Sequence, residues 1–294
     1  MSTLKHVVEA FLAAREYDRA TLSRLHFWVQ QFGDRELADI TPDEVDAAVM
    51  RLAERGRLKP IRNGSTTKAG KPLTGATLNR YISQLQSIYK YARRLRLLPR
   101  AHVPPTHGIE KSPEPPDPKR YLRPEEVERL VKVARVVDRR WKKLPALIIV
   151  AFHTGMRVGN LLDLRWRDVD LAARTITALK TKNGQPQVAA LSERAAKELE
   201  RLPGTHPADE RVFGNSRGDR FQFRNLWVRT TVEAGLPGRN FHQLRHGCGT
   251  ALAMAGVNQA QIMAVMGHRT LTASARYIHA NTSDKRRIVD QVFS

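Results

Sequence analysis

The sequence predicts a mostly α-helical protein of two domains, with a small β-hairpin or sheet in the second. Three observations carry this. Apolar residues recur at helical spacing through most of residues 1–100. A stretch with six prolines then interrupts the chain at 101–118. Beyond it, two short segments alternate apolar and polar residues on either side of an Asn-Gly turn.

Val7, Val8, Phe11 and Leu12 place a first helix over 6–14, and a second fits 19–32. Thr41-Pro42-Asp43-Glu44 reads as a capping box with proline at the first helical position, so a third helix spans 42–55 and Gly56 ends it. Residues 56–73 mix Gly, Pro, Ser and Lys without periodicity, and are expected to form a mobile basic loop carrying Thr67-Lys68 and Lys71. A fourth helix, 74–97, puts Leu78, Tyr81, Ile82, Leu85, Ile88 and Tyr89 on one face. The proline-rich stretch reads as a semi-extended interdomain linker, or else as a long surface loop within one domain. The expected domains are therefore 1–100 and 119–294, with 101–118 between them.

In the second half, helices are expected at 124–137 and 144–154, the latter stopped by Gly155. Strands fit 175–179 and 187–191, with Lys182-Asn183-Gly184 as the hairpin turn. Ser192 caps a helix to about 201, and helices also fit 241–255, 258–266 and 272–280. Asn258 with Gln261 resembles a capping box, and Gly267 a C-terminal stop. Gly247 and Gly249 weaken their helix by about 1 kcal/mol each relative to Ala, and the pattern does not explain them.

The chain of 294 residues carries 50 Lys and Arg against 29 Asp and Glu, a net charge of +21, with 41% hydrophobic residues. Such a charge repels itself in a compact fold and calls for a polyanionic partner: nucleic acid first, an anionic membrane second. The basic residues run along the whole chain and the longest apolar run, 144–152, has nine residues, which argues against a membrane. No signal peptide is expected, since Lys5 and His6 lead into an amphipathic pattern. The single cysteine, Cys248, excludes intrachain disulfides and cysteine-type zinc fingers and fits a reducing, cytoplasmic setting.

Four segments hold chemistry-bearing side chains: TGMRVGNLLDL (154–164), LKTKNGQPQVAAL (179–191), FHQLRHG (241–247) and GHRTLTASARYIH (267–279). Singly, each has a plainer reading: Arg157 and Lys182 as solvated surface charges, His242 and Arg245 as a salt-bridged or exposed pair, Tyr277 as half-buried packing. Together, two arginines, a lysine, two histidines and a tyrosine are what metal-free phosphodiester transfer needs. Guanidiniums clamp the charge on the non-bridging oxygens of a pentacovalent phosphate. A phenol with its pKa near 10 needs neighbouring cations and a base to act as a nucleophile. A lysine on a hairpin can protonate a leaving oxygen.

The motifs resemble those of the tyrosine site-specific recombinases, the phage-integrase-like family. Thr154-Gly155-Met156-Arg157, the hairpin Lys182, His242-Gln243-Leu244-Arg245, Gly267-His268 and Tyr277 agree with the family's pattern in order and spacing. The resemblance covers most of the chain. It implies a helical core-binding domain over 1–100, with 72–94 as its last helix, and a mixed α/β catalytic domain over 119–294. By that resemblance, Tyr277 attacks the scissile phosphate to form a 3′-phosphotyrosine bond and free a 5′ hydroxyl. Arg157 and Arg245 hold the phosphate, His242 is the acid/base partner, and His268 hydrogen-bonds the phosphate. Lys182 protonates the leaving 5′ oxygen, with Lys180 as its competitor. No metal, nucleotide or other cofactor is called for.

Some positions depart from the family pattern. Asn160 stands three residues after Arg157, where an acidic residue is usual, and supplies no charge. Met156 and Met266 replace leucines, a mild exchange. The expected partner is duplex DNA carrying a specific recombination site, bound by a homo-oligomer: a dimer per site and a tetramer in synapsis, with DNA-bending accessory proteins possible. Candidate DNA contacts are Lys68, Lys71, Arg80, Arg93, Arg94, Arg96, Arg139, Arg140, Lys142 and Lys143. Both halves being basic suggests a clamp around duplex DNA. The apolar tail residues Ile288, Val289, Val292 and Phe293 are expected to dock on a neighbouring subunit, or to pack on their own domain. A separate N-terminal arm-binding domain is not expected. A type IB topoisomerase, or a catalytically weak DNA-binding regulator on the same fold, remain as alternatives.

Overall fold

The computed structural model of the chain describes residues 2–60, 66–68, 70–114, 121–179 and 186–267. The chain divides into two compact units, Met1–Asp117 and Pro118–Ser294.

The first unit is built on four helices: α1 (Leu4–Ala13), α2 (Arg19–Phe32), α3 (Pro42–Arg55) and α4 (Gly75–Arg94). Their starts follow from side-chain caps. Asp18 Oδ1 accepts the Thr21 N–H at 2.7 Å, and Thr41 and Glu44 exchange bonds in a complete capping box. The core lies where the apolar faces meet, with Trp28, Leu85, Ile88 and Tyr89 fully buried. Buried polar tips are satisfied across it: Trp28 Nε1 donates to the Tyr81 carbonyl and Tyr89 Oη to the Leu37 carbonyl, both at 2.9 Å. The proline-rich stretch begins against this unit. His102 stacks on Tyr89, and Asn79 pairs with both backbone groups of Ser112 at 2.9 Å.

In the second unit, α5 (Pro124–Val137) and α6 (Leu144–Thr154) form the centre. The apolar run at 144–152 is an interior helix, buried on every side. Asp138 starts it: its carboxylate is buried and accepts the Lys143 and Leu144 N–H groups at 2.8 Å. Then come α7 (Val158–Asp163) and an antiparallel sheet of β3 (Val169–Asp170), β4 (Thr175–Ala178) and β5 (Gln187–Ala190). The order closes with α8 (Glu193–Glu200), α9 (Arg224–Glu233), α10 (Gln243–Met254) and α11 (Gln259–Met266). None of the described helices is long and apolar enough to cross a membrane.

The structure departs from the sequence reading in several places, one of them Val169–Asp170, expected as a turn and paired as β3. Within the expected loop at 56–73, β1 (Leu58–Pro60) and β2 (Thr66–Lys68) pair as antiparallel strands. A three-residue strand is too short to show alternation. The helix α7 was not expected because six residues are too few for a periodic signal. The helix α9 was missed because its polarity is inverted: Thr230 and Thr231 face inward while Val228 and Val232 are about 60% and 57% exposed.

Gly247 now has a reason. A Cβ there would run into the Leu122 carbonyl oxygen and lie 2.8 Å from the Phe152 ring, so α10 crosses backbone that only glycine allows so close. Gly247→Ala should therefore destabilise the second unit by about 1–3 kcal/mol, the usual range for overpacking. Urea unfolding followed by circular dichroism checks this, and a change below about 0.5 kcal/mol would contradict the close approach.

Candidate active site

Arg157 sits at the end of a turn whose geometry three neighbours impose. Thr154 Oγ1 donates to the Val150 carbonyl at 2.6 Å and accepts the Met156 N–H at 3.3 Å. Gly155 is left-handed (φ 60°) and closes α6. A Cβ on Gly155 would lie 3.1 Å from Cys248 Sγ and 3.3 Å from Met266 Cγ. The turn is thus roofed by α10 and by the end of α11. The Arg157 carbonyl accepts from Asn160 N at 2.9 Å and Leu161 N at 3.2 Å, which starts α7 and leaves the side chain half-buried.

Arg245 lies in the first turn of α10 and is 5% exposed. Its Nη1 donates to the Gly155 carbonyl, so one guanidinium is tied to the turn that carries the other. A guanidinium keeps further donors in the same plane, and Arg is charged at any working pH. One helical turn on, Cys248 is buried. Burial pushes its thiol up to about 12, with Arg245 pulling the other way, so the sulfur stays neutral and serves as packing.

His242 stands just before the first helical residue of α10 and is exposed. It therefore does not share the burial of Arg245, although helical spacing would place the two on one side. Its ring meets His246 edge to face at 4.9 Å. Asn160, in the position where the family pattern has an acid, is buried, and its Nδ2 has no hydrogen-bond partner among the described residues. Lys182, its competitor Lys180, His268 and Tyr277 lie outside the described residues. Their neighbours in the chain are described: β4 and β5 on either side of 180–185, and Gly267, which ends α11 at φ 62°.

Two further features were not anticipated. His153 Nδ1 shares a 2.6 Å hydrogen bond with Ser192 Oγ, which also caps α8 by accepting the Ala195 N–H. Burial, then Arg194, lowers the His153 pKa, and Glu128 opposes them. Arg194 in turn grips Glu128 with two bonds and holds its carboxyl below the usual range. This chain of contacts joins the end of α6 to the exit of β5. The other feature is Gln187, whose carboxamide abuts Gly267.

Most candidate DNA contacts are exposed: Lys71, Arg80, Arg93, Arg94, Arg96, Arg139, Arg140 and Lys142. None of these forms an ion pair among the described residues. Arg94 lies over the Tyr91 ring at 4.9 Å and Arg140 over Trp141 at 4.7 Å. In the first unit, Arg15, Lys90, Arg93, Arg94 and Arg96 line a groove of about 1080 Å³. Lys143 is a correction: its ammonium turns inward and donates to the Gly214 carbonyl at 2.9 Å, and burial lowers its pKa. Lys68 ends β2, and its side chain lies outside the described residues.

Residues 120–284 match the profile of the phage integrase family. The chain belongs to that family. It is a tyrosine recombinase of the integrase type. Among its relatives, the integrase of Salmonella phage P22 is 25% identical over 300 residues, covering 92% of this chain and 74% of the relative. The tyrosine recombinase XerC of Roseiflexus sp. (strain RS-1) is also 25% identical, over 304 residues, with 93% and 89% covered. Solved folds agree. The Tn1549 transposon integrase, in complex with a circular intermediate DNA, superposes with a TM-score of 0.72 at 17% identity, covering 99% of this chain and 100% of that one. A lambda integrase dimer bound to a core site gives 0.64 at 16%, covering 97% and 79%. The mostly helical integrase fold with its small sheet is thus the fold of this recombinase.

Proposed function

We propose that this recombinase cleaves and rejoins duplex DNA at a specific site through a 3′-phosphotyrosine intermediate, without metal or ATP. The observation that carries the reading is the tie between Arg245 and the Gly155 carbonyl. It ties Arg245, on α10, to the turn that carries Arg157, which suits the charge that builds on a phosphate under attack.

In this reading the Tyr277 oxygen attacks phosphorus and forms the new P–O bond. The bond from phosphorus to the 5′ oxygen breaks, and that oxygen takes its proton from Lys182. His242 accepts the phenol proton and His268 donates to a non-bridging oxygen. The phosphotyrosine conserves the energy of the broken bond, so a second 5′ hydroxyl reverses the steps and seals the joint. The domain over 1–100 is the core-binding part and 119–294 the catalytic part, joined by 101–118. The exposed basic runs on both units suit the DNA backbone. The DNA-bound structures of similar fold support duplex DNA as the partner. Bound copies pair as a dimer on each site and as a tetramer when two sites meet. The buried Asn160, which brings no charge to the site, also supports a slower enzyme, with the DNA-binding regulator as its extreme.

The experiment uses DNA recovered with the purified protein, sequenced, and rebuilt as nicked suicide duplexes. Wild type should form an adduct that survives denaturing electrophoresis and forms fully in EDTA. An adduct that needs magnesium would overturn the metal-free mechanism. Tight binding with no adduct would favour the regulator.

A further inference from the structure

We propose that Gln187 is a positioning residue: its carboxamide, packed on Gly267, pins the strand that follows Lys182 to the end of the helix that precedes His268. The inference rests on the reading in which Lys182 is the general acid.

Gln187 opens β5 and faces Ala178 across the ladder, so these two residues close the hairpin at its base. The strand alternates: Val188 is 60% exposed, whereas Gln187 and Ala189 are buried. An inward position in such a strand normally takes an apolar residue. Here it holds an amide whose Nε2 has no hydrogen-bond partner among the described residues. A buried amide with an unmet donor is a costly choice over a hydrocarbon side chain at such a position.

What the carboxamide does touch is Gly267. A Cβ on Gly267 would lie 2.5 Å from Gln187 Cδ and Nε2 and 3.0 Å from Oε1. The whole carboxamide therefore rests on the Cα of Gly267. Glycine suits the left-handed backbone there (φ 62°), and a side chain at 267 would have to push the carboxamide away. The contact joins two segments that lead, one along each direction of the chain, to groups needed at the same phosphate. A general acid must come within about 2.6–3.2 Å of the oxygen it protonates. A displacement near 1 Å lowers the rate by about 100-fold. A fixed joint at the base of the hairpin meets that demand.

The test compares two suicide duplexes under single turnover, one with the natural 5′ oxygen at the scissile bond and one with sulfur in its place. A thiolate leaves without being protonated, so the sulfur duplex does not need the general acid. Gln187→Ala should cleave the oxygen duplex about 10- to 100-fold more slowly than wild type. It should cleave the sulfur duplex at the wild-type rate, with DNA affinity within about twofold. Gly267→Ala should be slow on oxygen too, because its methyl collides with the carboxamide. The double variant Gln187→Ala/Gly267→Ala should be no slower than the slower single one, because the methyl then fills the vacated space. If alanine at 187 prevents folding, Gln187→Thr keeps a strand-forming residue but withdraws the carboxamide from Gly267, and should give the same split between the duplexes. A Gln187→Ala defect that persists on sulfur, or two defects that multiply, would overturn the proposal. Wild type inert on both duplexes, or Lys182→Ala unrescued by sulfur, would instead sink the reading beneath it.

Discussion

Tyr277→Phe should form no covalent adduct with the suicide duplex, a loss on the order of 10⁴-fold or more, the scale expected when a covalent nucleophile is removed. The change deletes one oxygen. Phenylalanine keeps the ring, so packing and DNA affinity should stay close to wild type, and a gel-shift titration in parallel checks the affinity. The expectation comes from the spacing of Tyr277, nine residues after His268, together with the site assembled around Arg157 and Arg245. An adduct from Tyr277→Phe would move the nucleophile to another residue.

Arg245→Lys should slow cleavage by about 10²–10³-fold, the usual consequence of losing one preorganised donor to a developing anion. Charge is kept, but a single ammonium cannot hold both the Gly155 carbonyl and a phosphate in one plane. Arg245→Ala should be as slow and also less stable by about 1–3 kcal/mol, because the Gly155 carbonyl loses its donor in a buried place. Rapid-quench cleavage and thermal unfolding separate the two effects. A lysine variant as fast as wild type would mean that Arg245 holds the turn and not the phosphate.

Much of the architecture was legible where local rules decide it. The helix at 42–55 follows from its capping box, and the end of 144–154 from its glycine stop. Asn258 and Gly267 bracket α11 in the same way. The failures share a cause. In α9, threonines face in and valines face out, and only the packing around Trp227 and Phe241 shows why that helix forms. The strands at 58–60 and 66–68 are shorter than any periodic signal, and are specified by backbone pairing alone. Lys143 looked like one more cation in a basic run, yet its chain reaches Gly214, 71 residues away in sequence.

The sequence by itself determined the family, the order of the motifs and the chemical types at the site, because spacing and side-chain identity are written in one dimension. The tertiary structure alone decided how those pieces touch. It showed Arg245 bonded to the turn of Arg157, and Cys248 and Met266 packed over Gly155. It showed Gly247 set against the Leu122 carbonyl and Gln187 against Gly267. Each of these contacts joins residues far apart in the chain. Their partners are set by packing and desolvation across the fold, and no local pattern records either.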